Sequence, residues 1–189
     1  MSKKILVTGA AGFIGSHLSE ALCARGDRVV GLDSFDAYYD PARKHENITE
    51  VRASCRERFT LVEGDVRDRE LTATLFARER FDAVVHLAAL AGVRASIGEA
   101  QRYFDVNLMG TVALLDACVR HAVPHFVFAS TSSVYGDSDK LPFVDGLPGL
   151  HTRAPGEAPE QEAFNAKVIN YQHPDHDTAV WPAEERRHD

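Results

Sequence analysis

Five short apolar runs punctuate the chain, at residues 4–8, 28–32, 59–62, 83–87 and 125–129. They are rich in Ile, Val, Leu and Phe and do not alternate with polar residues, which is the pattern of strands buried on both faces. Between them the apolar positions recur at helical spacing. Phe13, Ile14, Leu18, Ala21 and Leu22 form the first such set, closed by Gly26. Leu71, Leu75 and Phe76 form a second. Phe104, Leu108, Val112, Leu115 and Val119 predict one long helix. A polar stretch from Ser34 to Arg58 is expected to be part helix. Strands alternating with helices predict βαβ units, hence an α/β fold with a doubly wound parallel sheet of about five strands. No internal period of solenoid type is present.

In such sheets ligands sit beyond the carboxyl ends of the strands, so chemistry is expected just after each run. The first run leads into Gly9-Ala10-Ala11-Gly12-Phe13-Ile14-Gly15. Glycines there let the backbone turn tightly and let a pyrophosphate approach the amides and the dipole of the following helix. The spacing is GxxGxxG, and the alternative is a glycine-rich turn without a ligand. Asp33 ends the second run, eighteen residues after Gly15. A carboxylate there accepts from both ribose hydroxyls of an adenosine and repels a 2′-phosphate, favouring NAD over NADP. Arg43 and Lys44, ten residues further on, are slight support for a phosphate instead.

After the third run, Asp65 could accept from an adenine amino group with Val66 against the ring, or serve only in a turn or cap; Asp68 is placed to cap the next helix. Leu87, Ala88 and Ala89 follow the fourth run, and two small residues in this place let a cofactor lie close to the backbone. His86 lies within that run and reads as a core histidine with satisfied ring nitrogens. The fifth run opens into Ser130, Thr131, Ser132 and Ser133, hydroxyls suited to a sugar or to a reacting oxygen, or simply a serine-rich loop.

Composition narrows the picture. The 189 residues are 44% hydrophobic with a formal net charge of -7. That acidic balance argues against a nucleic-acid partner, and no apolar run approaches the ~20 residues of a membrane span. Lys3-Lys4 and the run after it are too soon interrupted by Thr8-Gly9 and His17 to be a secretory leader. Cys23, Cys55 and Cys118 are too few and scattered for a disulfide framework or a zinc site, and fit a reducing cytoplasm. No metal is expected; His173 and His176 read as part of a polar tail.

The charge is unevenly spread. Residues 144–189 hold nine acidic and four basic side chains, and six of the eight prolines lie at or beyond Pro142. This shift predicts a folded body at 1–143 and a weakly ordered tail at 144–189.

Together these segments resemble the extended short-chain dehydrogenase/reductases, the NAD-dependent epimerase/dehydratase family. The resemblance rests on residues 7–17, on Gly64-Asp65-Val66-Arg67-Asp68, on His86-Leu87-Ala88-Ala89, on Asn107 before Gly110-Thr111, and on Ser132-Ser133-Val134-Tyr135-Gly136. Residues 32–41 and 91–96 are similar to the UDP-glucuronate 4-epimerase branch. The resemblance implies a Rossmann-type fold, bound NAD, a nucleotide-sugar substrate such as a UDP-sugar, and a possible homodimer. It implies that Phe13 and Ile14 supply pyrophosphate-binding amides. Asn107 would position the site, Thr131 would hydrogen-bond the reacting oxygen, and Ser132 and Ser133 would meet the substrate. Arg94 would either approach a substrate carboxylate or stay solvated at a helix start.

The resemblance ends near Phe143. The family's base is the tyrosine of a Tyr-x-x-x-Lys motif, whose lysine lowers the tyrosine pKa from about 10. The residues four beyond the five tyrosines are Ala42, Arg43, Asn107, Asp139 and Asp175, none of them lysine. Where the motif is expected, Pro155 and Pro159 would break a helix. Three readings follow: an epimerase lineage whose written chain keeps the cofactor half, an inactive dinucleotide-binding module with a regulatory or dimerising role, or a non-functional product that folds poorly because its fifth strand has lost a neighbour. A shift of reading frame after Phe143, or a damaged gene, would explain the abrupt change in composition. Translation of the other two frames downstream is expected to yield Tyr-x-x-x-Lys; its absence from both would contradict the shift.

Overall fold

The computed structural model describes residues 2–130. The serine-rich loop from Thr131, the boundary at 143 and the tail lie outside the described residues. Five strands form one parallel sheet: β1 (Lys4–Thr8), β2 (Arg28–Asp33), β3 (Phe59–Glu63), β4 (Ala83–His86) and β5 (His125–Phe128). Their order is β3-β2-β1-β4-β5, so the chain winds outward in both directions from a switch between β1 and β4. All five apolar runs are strands, with ends that differ by at most one residue from those read in the sequence.

Successive side chains of a strand point to opposite faces, and both faces here are covered by helix. Ile5, Val7 and Val29 pack with Leu22 and Cys23 of α1 (Phe13–Arg25) and Ile48, Val51 and Cys55 of α2 (Pro41–Cys55). Leu6, Val30, Leu32, Val84 and Phe126 face the other way. They meet Leu75 and Phe76 of α3 (Arg69–Glu79) and Leu114, Ala117 and Cys118 of α6 (Gly110–Arg120). The three cysteines are unpaired and buried in these two cores.

Local signals set the helix ends. Gly26 closes α1 with φ 102°, its N–H bonding the carbonyls of Cys23 and Leu22. Asp40 caps α2 through the Ala42 amide, with Pro41 in the first turn. Asp68 caps α3, accepting from the amides of Glu70 and Leu71 at 3.0 and 2.9 Å, as its position suggested.

The long helix expected from Phe104 onward is broken up. Two short helices, α4 (Val93–Gly98) and α5 (Ala100–Tyr103), precede a π-helical turn at Phe104–Met109, and only then does α6 begin. The apolar period across 104–119 is real, yet Phe104, Leu108, Met109, Val112 and Val119 are exposed. The core instead takes Ala113, Leu114, Ala117 and Cys118. Among the described residues no helix is long and apolar enough to cross a membrane.

Candidate functional site

The predicted residues that the structure describes gather at the carboxyl edge of the sheet. Gly9 ends β1 with φ 70°, a conformation that an L side chain rarely adopts. A Cβ on it would lie 2.9 Å from the Ala88 nitrogen, so the loops after β1 and β4 touch only because this residue is glycine. Gly15 lies against the Gly9 carbonyl more closely still, which lets α1 start directly above the strand. Gly12 is the N-cap of α1, with no side chain capping it and no acidic residue in the first turn. The first amides of a helix have no intrahelical acceptor, so those of Phe13 and Ile14 face outward with the positive end of the dipole. Their side chains are 76% and 65% exposed.

Asp33 is buried beside this loop. Its Oδ2 accepts from the Ala11 amide at 3.0 Å, and its Oδ1 from the Phe35 amide at 2.8 Å. Lys44 of α2 reaches the same Oδ1 at 3.2 Å with its own side chain largely covered. Asn47, one turn further on, donates to the Ala11 carbonyl at 2.8 Å. The Ala11 peptide is thus held from both sides, by Asp33 and by Asn47. Neither Asn47 nor the Lys44 pairing was legible beforehand. The signal lay in the apolar positions Ile48, Val51 and Cys55, which fix the buried face of α2 and so turn Lys44 and Asn47 toward the glycine loop.

Asp65 is engaged by Arg67 through its Nε and Nη2 at 2.9 and 2.7 Å and through its amide at 2.8 Å. The Arg67 fork holds the Asp65 carboxyl below its usual range despite partial burial. Val66 is 5% exposed and belongs to the core. Leu87 and Ala88 are half-buried and Ala89 is exposed. Ser130 is half-buried just past β5. Arg94 is exposed in the first turn of α4. Thr131, Ser132 and Ser133 lie outside the described residues.

Beneath the edge runs a buried polar chain. Thr8 Oγ1 accepts from the amides of Leu87 and Ala88, both at 3.2 Å, and lies 2.7 Å from His86 Nδ1. His86 Nε2 lies 2.9 Å from Thr111 Oγ1, which donates to the Asn107 carbonyl at 2.6 Å. The single hydroxyl proton of Thr111 is spent on Asn107, so the Nε2–H must donate to Thr111. Nδ1 then accepts from the Thr8 hydroxyl, and the ring is neutral with one assigned tautomer. The Asn107 side chain, in the π turn, exchanges two bonds with the Leu90 peptide, at 2.8 and 2.9 Å. A π turn often carries functional groups, and here it aims the Asn107 amide at the loop after β4. His86 is the satisfied core histidine that the sequence suggested.

A cavity of about 1400 Å³ opens at the opposite, amino-terminal end of the sheet, among Lys3, Arg28, Arg58 and Asp82. It carries none of the predicted residues and lies far from the glycine loop. Among the described residues no cluster of three or more metal-ligating side chains occurs.

The fold and this edge define a Rossmann-type protein. The family model for GDP-mannose 4,6 dehydratase matches residues 6–155. The chain belongs to that family, within the NAD-dependent epimerase/dehydratase group. It is 49% identical over 142 residues to UDP-glucuronate 4-epimerase 1 of Arabidopsis thaliana, covering 75% of this chain and 32% of that one. It is 37% identical over 154 residues to UDP-glucose 4-epimerase of Neisseria meningitidis, covering 81% and 44%. Among solved structures, a mutant UDP-glucuronic acid 4-epimerase of Bacillus cereus, in complex with a fluorinated UDP-glucuronic acid and NAD, superposes with TM-score 0.68. It is 39% identical, with 78% of this chain and 46% of that chain covered. The UDP-glucose 4-epimerase of Stenotrophomonas maltophila, with bound NAD, superposes with TM-score 0.67 at 35% identity, covering 76% and 41%. The chain spans about a third to under half of the length of these relatives.

The His86 ring gives the edge a pH dependence. Burial pushes its pKa down from 6.5 to about 4. Between those values the unfolded chain binds more protons than the folded one, so stability rises with pH. The contribution is complete above pH 6.5 and is lost as pH falls toward 4. Urea denaturation should show a loss of about 1 kcal/mol between pH 7 and 5.5. His86→Gln should be less stable but flat across that window; an unchanged slope in the variant would contradict the assignment.

Proposed function

We propose that the described body holds NAD along the carboxyl edge and is the cofactor-binding part of a UDP-sugar 4-epimerase of the UDP-glucuronate kind. The observation that carries this reading is the open N-terminus of α1, free of acidic side chains in its first turn and set beside the buried Asp33. Its chemistry fits a dinucleotide: outward amides and a helix dipole for a pyrophosphate, and a carboxylate for ribose hydroxyls. In this reading Gly9, Gly12 and Gly15 shape the loop, Phe13 and Ile14 give the amides, and Asp33 takes the ribose. Asp65 and Val66 lie toward the adenine. Leu87, Ala88, Ala89, Asn107 and Ser130 line the nicotinamide side.

NAD, when bound, supplies a hydride acceptor that returns the hydride to the sugar. The residues of this chain would orient the partners. Thr131 would hydrogen-bond the reacting oxygen, Ser132 and Ser133 would contact the sugar, and Arg94 would meet its carboxylate. Lys44 neutralises part of the Asp33 charge, so preference for NAD over NADP rests on the shape of the buried carboxylate site as well as on repulsion.

No tyrosine of the sequence has lysine four residues on. This supports a second reading, an inactive NAD-binding fragment or regulatory dinucleotide module. Both readings place the chain in the cytoplasm, in keeping with three unpaired thiols. The exposed Leu108, Met109, Val112 and Val119 offer an apolar face to a second copy.

Calorimetry should detect NAD binding by the purified chain, weakened at least about tenfold by Asp33→Ala. Equal binding by both proteins would discredit the ribose assignment. No interconversion of UDP-glucuronate and UDP-galacturonate is expected from the chain alone, since loss of a general base removes about 10²–10⁴ in rate. Measurable turnover would show that another residue serves as base.

A further inference from the structure

The two stretches that look specific to one branch of the family, residues 32–41 and 91–96, are joined in the structure. Arg102 of α5 donates from Nη2 to both oxygens of Asp36, at 2.8 and 2.9 Å, and from Nη1 to Glu99 at 2.6 Å. Tyr103 donates its hydroxyl to the Ala91 carbonyl at 2.5 Å. The Tyr38 hydroxyl lies against Gly92, whose φ is 94°. A Cβ at Gly92 would collide with that oxygen, so the close approach requires glycine. The Tyr38 amide donates in turn to Asp36 Oδ1 at 2.9 Å.

Topology gives this cluster its meaning. Asp36 and Tyr38 follow β2, whereas Ala91, Gly92, Arg102 and Tyr103 follow β4. Strands β2 and β4 flank β1 on either side. A contact between their trailing segments therefore lies beyond the carboxyl end of β1, where the glycine loop and the start of α1 stand. The two terminal nitrogens of Arg102 are occupied by carboxylates, so this side chain acts as a latch between segments and leaves the phosphate to the α1 amides. The Asp36–Arg102 pair joins the two segments through side chains and is partly exposed, which lets the contact open and close without unfolding the sheet.

We propose that the Asp36–Arg102 ion pair and the Tyr38–Gly92 contact form a strap across the dinucleotide crevice, and that its opening sets the rate at which NAD enters and leaves. The inference rests on the NAD reading above. The four residues are positioning residues: they hold the crevice closed and touch neither reacting atom. A strap that gates a site slows entry and exit together, whereas a residue that binds the cofactor slows exit alone.

The test is stopped-flow fluorescence of NADH binding to the full chain, with displacement by excess NAD. Arg102→Gln and Asp36→Asn should each raise the association and dissociation rates by about tenfold, leaving the equilibrium constant within about threefold. The charge-swapped double variant, Asp36→Arg with Arg102→Asp, should return both rates toward those of the parent. Rates unchanged in both single variants would overturn the strap. A rise in dissociation with association unchanged would also overturn it, by making these residues simple binding or structural contacts. If the parent chain takes no NADH, the cofactor reading itself falls and the strap with it; if it binds with rates indifferent to these substitutions, the strap falls alone.

Discussion

The carboxyl edge depends on one constraint: polar groups buried beneath it must all be hydrogen-bonded to each other. Thr8 and His86 are fully buried between β1 and β4, at the switch point of the sheet. Thr8 satisfies two amides of the loop after β4, His86 satisfies Thr8 and Thr111, and Thr111 satisfies the Asn107 carbonyl. Leaving any one of these groups unpaired would cost about 1–3 kcal/mol. The chain of bonds therefore fixes where the loops after β1 and β4 stand, and the π turn that carries Asn107 with them. Leu87, Ala88 and Asn107 of the candidate site are mounted on this hidden frame.

A second layer rests on it. The Ala11 peptide, suspended between Asp33 and Asn47, ties the glycine loop to β2 and α2. The segments after β2 and β4 then meet across the front through Asp36 and Arg102. Each layer is built from side chains of different elements, so the edge is preorganised by the fold before any ligand arrives. Preorganisation of this kind lowers the ordering cost of binding.

Much of this was legible in the sequence because strands buried on both faces leave a plain apolar signature. Ile5, Leu6 and Val7, or Val84 and Val85, could be little else. The glycine loop, Asp33, the Asp68 cap and the core role of His86 could be read because each sits at a fixed offset from a strand. The region 91–109 could not. Arg94, Ala95 and Ile97 are exposed, so no apolar stripe marks α4, and the segment around it meets the distant Asp36 through Arg102 and Tyr38 at Gly92. The apolar period of 104–119 misled for a related reason. Several of its members line a face left open in the described body, while smaller residues such as Ala113 and Ala117 fill the core. Lys44, read as slight support for a phosphate, pairs with Asp33 instead, and Asn47 left no signal, because a polar helix hides which of its polar side chains point inward.

The account stands on the claim that the amides at the start of α1 hold a dinucleotide. Amide hydrogen exchange of the full chain, with and without saturating NAD, tests it most directly. Residues 9–16 and 87–90 should become protected on adding NAD, while the amino-terminal end of the sheet around Arg28 and Asp82 stays unchanged. Protection absent from residues 9–16, or confined to the charged cavity at the other end, would contradict it.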